Sequence, residues 1–227
     1  MSFSSVTRRV SERFNEVQVL LNHITSSEPA DVTELVPLDV KIMKGLFYVH
    51  LYAAFEKSIN EIIETALTLI SSKSIKNNHL SPTLLSIALS DKFKSLKDSS
   101  HSKVLIKSSE IFSESISKNV VPINEAIFAN HLQNAWVTTI IEITTILGID
   151  GFSFGTRGRV TIDEVVDRRN AVAHGRDSAS SVGERYRANI LRQKLEIVSE
   201  ATQMFLSVIE EHCDSKKYVK PNSRRYY

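Results

Sequence analysis

Val165-Val166-Asp167-Arg168-Arg169-Asn170-Ala171-Val172-Ala173-His174-Gly175 reads as the last turns of a helix, and the rest of the chain is read outward from it. Thr161 has the side chain of an N-cap, with Glu164 three residues on as its capping-box partner. Gly175 stands where a left-handed residue closes a helix. At about 100° per residue, Val165, Val166, Val172 and Ala173 share one face. Arg169 falls in the middle of that face, and Asn170 and His174, four apart, line its edge beside Asp167. An arginine on a core-facing side is costly unless a carboxylate meets it or a phosphate is awaited there. Two readings stay open at this point: a snorkelling or ion-paired structural arginine, and an anion clamp.

Working back from this helix, residues 148–160 hold four of the seven glycines, with Phe152, Phe154, Arg157 and Arg159, and read as a loop feeding the helix. The glycine spacing is not a phosphate loop, since no Gly-Lys-Ser/Thr follows and no strand–helix unit precedes. Before it, residues 122–149 are strongly apolar and read as a buried helix starting near Asn124 or Asn130, despite the β-branched run from Val137 to Ile141. Residues 81–119 open with Ser81-Pro82, an N-cap followed by proline at the first helical position. They read as a helix to about Leu96 and a second, Ser- and Lys-rich helix over 103–118. This segment resembles an insertion between core helices.

Residues 38–71 form the longest periodic segment, with Gly45 its only breaker. Val49, Tyr52, Ile59, Ile63, Ala66 and Ile70 make its apolar face, and Glu56 projects close to it. A carboxylate there is the mirror image of Arg169, so the two are expected to meet, within one chain or across a dimer seam. A structural pair and a catalytic role for Glu56 both fit that pairing. His50 points to the polar face. Residues 5–24 repeat apolar positions at helical spacing, and Thr25 to Pro37 is a loop. Beyond Gly175, Ser181 and Glu184 suggest a second capping box opening a final helix over 183–212. The organisation expected is a single helical domain over 1–212 with 81–119 inserted, then a basic flexible tail over 213–227.

Composition agrees with an all-α fold. The chain has 227 residues, 42% of them hydrophobic, with only seven glycines and five prolines, which suits helices better than a turn-rich sheet. A formal net charge of +2 exerts no strong long-range pull on nucleic acid, so affinity has to come from local patches. One such patch is visible: no arginine lies between Arg13 and Arg157, and eight of the thirteen then fall between Arg157 and Arg192. The guanidinium fork suits phosphate better than a lysine point charge, although neighbouring Asp163, Glu164, Asp167, Asp177 and Glu184 also fit an ordinary balanced helix surface. The single cysteine, Cys213, rules out an internal disulfide and a multi-cysteine zinc site. No N-terminal apolar signal core is evident, and no run approaches the ~20 apolar residues of a membrane span. A cytoplasmic, non-membrane protein is expected. There is no Gly-x-Ser-x-Gly elbow, zinc-binding His-Glu-x-x-His helix or dinucleotide fingerprint.

Arg169-Asn170-x-x-x-His174 followed by Gly175 resembles the R-N-x-x-x-H signature of the HEPN superfamily. The stretch from Gly45 to Glu56 is similar to the second helix of the RiboL-PSP and MAE-type HEPN groups, and Leu147-Gly148-Ile149 resembles the ending of the region before the motif. The resemblance implies an all-α bundle of long antiparallel helices, a homodimer whose two motifs meet in one cleft, and metal-independent RNA cleavage in prokaryotic toxin–antitoxin or antiphage defence. It implies His174 as acid/base, Arg169 as phosphate clamp and Asn170 as orienting residue. Arg168 and Arg176 are candidate substrate contacts, with Glu56 and Asp167 in support. No metal and no cofactor are implied. RNA and an antitoxin or defence-system protein are the implied partners. Some HEPN toxins carry a tyrosine two residues after the histidine, a modification target; Arg176 stands there instead, which puts that regulation in doubt. Other HEPN domains keep the fold as non-catalytic binding modules, so a module that binds nucleotide, nucleic acid or protein is the competing expectation.

Overall fold

The computed structural model describes residues 2–31 and 33–227. Most of the described residues lie in nine α-helices: α1 (Phe3–Ser27), α2 (Leu38–Ser72), α3 (Pro82–Ala88), α4 (Ser90–Lys97), α5 (Val104–Ser115), α6 (Val137–Leu147), α7 (Gly155–Ala173), α8 (Ala179–Glu184) and α9 (Ala188–Asp214). Among the described residues there is no strand, only an isolated bridge between Leu80 and Val219. The fold is the all-α bundle expected.

The 35-residue α2 is its axis and packs against α1, α7, α8 and α9. It is buried on more than one face, with Phe47, Tyr48, Leu51, Tyr52, Phe55, Ile59, Ile62 and Ile63 all inside. An axial helix has neighbours all round, so its sequence reads as broadly apolar, without a clean stripe. α1 lies antiparallel to it. Arg9 and Arg13 of α1 bind Glu61 late in α2, and Glu28, just past α1, binds Lys44 early in α2 at 2.8 Å.

Gly45 does not break α2; it receives α8. A Cβ at Gly45 would sit 2.0 Å from the Ala179 carbonyl oxygen, and one at Gly183 would sit 1.9 Å from the Lys41 carbonyl oxygen. The two glycines face each other's helices and let the backbones touch. α8 is the short helix that carries the chain away from the motif.

Several boundaries differ from expectation for physical reasons. α7 begins at Gly155, so the loop expected over 148–160 ends at Phe154. Phe154 is buried in edge-to-face contact with Phe152, which itself packs on Phe205 of α9, and this cluster anchors the helix start. Thr161 is therefore a buried mid-helix residue and not an N-cap. α6 starts only at Val137, preceded by irregular chain and a 3₁₀ turn at His131–Asn134, and not at Asn124 or Asn130. Its first N–H finds no local cap; Val137 N–H donates to Asp163 of α7 at 3.2 Å. Ser178, and not Ser181, caps α8, and α9 begins at Ala188, whose N–H donates to Glu28 at 2.9 Å. Ser81 caps α3 and Pro82 opens it, as expected, but Leu89 divides the helix expected to reach Leu96 into α3 and α4.

The segment after Asp214, expected as a flexible tail, is docked. Tyr218 and Val219 are buried, Ser81 N–H donates to Tyr218 O at 2.8 Å, and Tyr227 Oη receives the Lys76 N–H while meeting His79 Nδ1 at 3.0 Å. Among the described residues no helix is long and apolar enough to cross a membrane.

Candidate functional site

Arg169 is where α2, α7 and the 3₁₀ turn before α6 converge. Its Nη2 binds the Glu56 carboxylate at 3.2 Å, so the two opposed charges on core-facing sides do meet, and within one chain. Its Nη1 donates to Asn170 Oδ1 at 2.7 Å and to Asn134 Oδ1 at 3.4 Å, and Nη2 also reaches Gln133 O at 3.4 Å. The guanidinium carbon lies 3.9 Å from the centroid of the Tyr52 ring. Such a stack is an attraction of charge to the ring quadrupole, and it fixes the plane of the fork.

Tyr52 is itself immobilised. Its hydroxyl accepts the Ala135 N–H at 2.9 Å and donates to Gln133 O at 3.3 Å. Burial pushes the Tyr52 phenol up to about 12, so it stays protonated and keeps donating. The side chain of Arg169 retains 17% of its accessibility and that of Glu56 26%, so the pair sits at the rim of the core, partly accessible to solvent.

His174 closes α7. Its N–H donates to Asn170 O at 3.1 Å, and Gly175 follows with φ +68°, the left-handed closure expected from the sequence. His174, Gly175 and Arg176 are exposed. Among the described residues the His174 ring has no hydrogen-bond or ion-pair partner, so an imidazole stands free at the surface one helical turn from the Arg169–Asn170 pair. Val165 and Val166 face the core as expected, but Ala171 is buried there and Ala173 is exposed.

A family model described as RiboL-PSP-HEPN matches residues 8–215. The chain belongs to the RiboL-PSP-HEPN family. No curated protein and no solved structure matches it.

Other residues of this HEPN chain singled out from the sequence fall into two groups. Asp167 holds Arg176 at 2.8 Å and approaches Arg168 at 3.8 Å, on the surface beside His174. Arg168 is turned away from Arg169. It lies close to Tyr186, and its Nε is buried without a hydrogen-bond partner among the described residues. Near it, Glu164 receives Lys194 at 2.5 Å and the Tyr186 hydroxyl at 2.7 Å. Burial would raise the Glu164 carboxyl, but these donors outweigh it and hold it below the usual carboxylate range. Arg168 thus joins the α7–α9 seam of the HEPN bundle, while Arg176 remains at the surface with the histidine. Among the described residues no three His, Cys, Asp or Glu side chains gather as a metal-holding group.

The sequence places Tyr52 only on the apolar face of its helix and marks neither Gln133 nor Asn134 as a site residue. Tyr52 lies four residues before Glu56 on α2, the spacing of side chains that stack on one helix face, and that was its available signal. Gln133 and Asn134 lie in chain expected to be helical, and nothing local marks them.

Proposed function

We propose that this HEPN chain is a metal-independent endoribonuclease. The observation that carries the proposal is the pairing of a pre-aligned arginine fork on Tyr52 with an unpartnered, exposed histidine five residues on, one turn past Asn170. Arg169, partly accessible to solvent, holds the non-bridging oxygens of a phosphodiester and stabilises the negative charge that grows on them. Asn170 keeps the fork oriented. The His174 imidazole is a side chain that can both take up and give back a proton.

One chain supplies one such histidine, and the reaction has two proton transfers. The 2′-hydroxyl gives its proton to one imidazole as O2′ attacks phosphorus. The 5′-oxygen leaves as the P–O5′ bond breaks and takes a proton from a second imidazole. A homodimer with the two α7 ends facing each other provides both, and the products are a 2′,3′-cyclic phosphate and a 5′-hydroxyl. The test is end chemistry. Fragments that accept a phosphate at the 5′ end without prior dephosphorylation support the reading. Fragments with 5′-phosphate and 3′-hydroxyl ends contradict it.

RNA is the substrate class in this reading. A cytoplasmic role in toxin–antitoxin or antiphage defence, with an antitoxin or defence protein as partner, follows from the family resemblance. A second reading, a non-catalytic module that binds nucleotide, nucleic acid or protein, is favoured by one observation: both terminal nitrogens of Arg169 already have internal partners. It predicts binding without cleavage.

A further inference from the structure

A cavity of about 250 Å³ opens between α3, the chain before the 3₁₀ turn, and α6. Its walls include the buried side chains of Ile87, Phe128 and Ile143, and its polar lining includes Thr139, His131 and Glu142. Glu142 and His131 are exposed, and among the described residues neither side chain has a hydrogen-bond or ion-pair partner. An apolar slot with a free carboxylate and a free imidazole at its mouth has the composition of a small-molecule site: apolar walls and a few convergent polar groups.

The slot is joined to the arginine clamp through one turn of chain. His131 opens the 3₁₀ turn His131–Asn134 and lines the cavity; Asn134 closes the turn and receives Arg169. In a 3₁₀ helix, residues i and i+3 eclipse and rise about 6 Å along the axis. His131 at the slot and Asn134 at the Arg169 fork are therefore about 6 Å apart along the turn, roughly the step from one nucleotide to the next.

We propose that this cavity is a guanine pocket for the nucleotide whose phosphate sits on Arg169, an inference that rests on the ribonuclease reading above. Size comes first. A cavity of roughly 150 Å³ accepts a single six-membered ring, so this one has room for a fused bicyclic purine. Polarity decides between the purines. Guanine presents two adjacent donors, N1–H and the N2 amino group, which match the two oxygens of the Glu142 carboxylate. Adenine presents an acceptor at N1, which the carboxylate repels. His131 is placed to donate to a base carbonyl such as O6. Single-stranded RNA is read in this manner, with bases splayed out of the stack, packed on apolar and aromatic walls and bonded along their Watson–Crick edges.

The experiment uses 2′-O-methyl hexanucleotides, which lack the attacking hydroxyl and cannot be cleaved by this route. Fluorescein-labelled oligomers of uridine with a single central guanosine, adenosine or cytidine are titrated against the whole protein by fluorescence anisotropy. The expected result is roughly tenfold tighter binding of the guanosine oligomer, the scale of one good bidentate contact. Glu142→Gln, a change at an exposed residue, should abolish the preference, and Arg169→Ala should weaken all three oligomers alike. Equal binding of the three, no binding of any, or a preference untouched by Glu142→Gln overturns the pocket. Cleavage of unmodified RNA is scored separately. Glu142-dependent guanosine preference without cleavage keeps the pocket and sinks the nuclease reading. Cleavage without guanosine preference does the reverse.

Discussion

Arg169 of α7 lies flat over Tyr52 of α2, its guanidinium carbon 3.9 Å from the ring centroid, while Glu56, one turn further along α2, takes the edge of the fork. Tyr52 is pinned through its hydroxyl to the backbone at Gln133 and Ala135. The guanidinium is thus held in one orientation by its own neighbours, and little side-chain freedom is left for any further contact to remove.

The pair is rim-exposed, and that sets its contribution to stability. Arg169→Ala should cost about 1–2 kcal/mol, combining a partly exposed ion pair with a lost cation–π contact. Urea unfolding of Glu56→Gln, Arg169→Ala and the double variant should give a coupling of about 0.5–1.5 kcal/mol. A loss of about 3–5 kcal/mol for Arg169→Ala, the figure for a broken fully buried pair, would mark the arginine as structural.

Gly45 and Gly183 should resist even alanine. Alanine in a helix normally gains about 0.5–1 kcal/mol over glycine. Here the new methyl would lie 2.0 Å from the Ala179 carbonyl oxygen or 1.9 Å from the Lys41 carbonyl oxygen, backbone atoms that cannot swing aside. Overpacking of about 1–3 kcal/mol or more should win. Thermal unfolding of Gly45→Ala and Gly183→Ala should therefore show a lower Tm; a raised Tm in either would show that α8 is not held against α2.

Much of this arrangement could be read from residue types, and the unread part shares one cause. The Glu56–Arg169 contact was legible because two opposite charges on core-facing sides each demand a partner. Gly175 was legible because helix closure is local. The starts of α6 and α9 were not, because their first N–H groups are satisfied by Asp163 and Glu28, carboxylates distant in sequence. The start of α7 was misplaced for a related reason: Phe154 buried on Phe205 and Phe152 overrides the loop tendency of Gly155 and Gly158. The docked tail depends on Tyr218, Val219 and Tyr227 finding the Lys76–Ser81 segment, again a contact across the chain.

Those distant caps can be tested one at a time. Asp163→Ala removes the acceptor for Val137 N–H and should cost about 1 kcal/mol, as loss of an ordinary N-cap does. Asp163→Asn, which keeps an acceptor oxygen, should recover most of it. Equal losses in the two variants by urea unfolding would place the effect in the charge and not in the cap.

Acid sensitivity should trace to His212. Its ring is buried beside Tyr218 with both nitrogens unpartnered, and burial, helped by Lys217 and Arg224, lowers its pKa to about 4. The unfolded histidine binds a proton below about 6.5 and the folded one does not until about 4. The unfolded state therefore holds more protons across that window, and stability must fall as pH drops from about 6.5 towards 4. Glu164 and Glu28, both depressed below 4.5, add a further loss as pH falls through their folded values. Stability measured from pH 7 to pH 5 should slope in the wild type and flatten in His212→Gln. The same slope in both would remove His212 from the effect.

We propose that His174 moves protons in an RNA cleavage organised by Arg169. The most direct measurement is cleavage of mixed RNA by the purified protein in EDTA, wild type beside His174→Ala. His174 is exposed and has no hydrogen-bond or ion-pair partner among the described residues, so its replacement should leave the fold intact. Metal-free cleavage by the wild type is expected, reduced at least about a hundredfold in the variant, the lower end of what a general acid–base contributes. Cleavage at the same rate by His174→Ala, or none by a dimeric wild type, would contradict it.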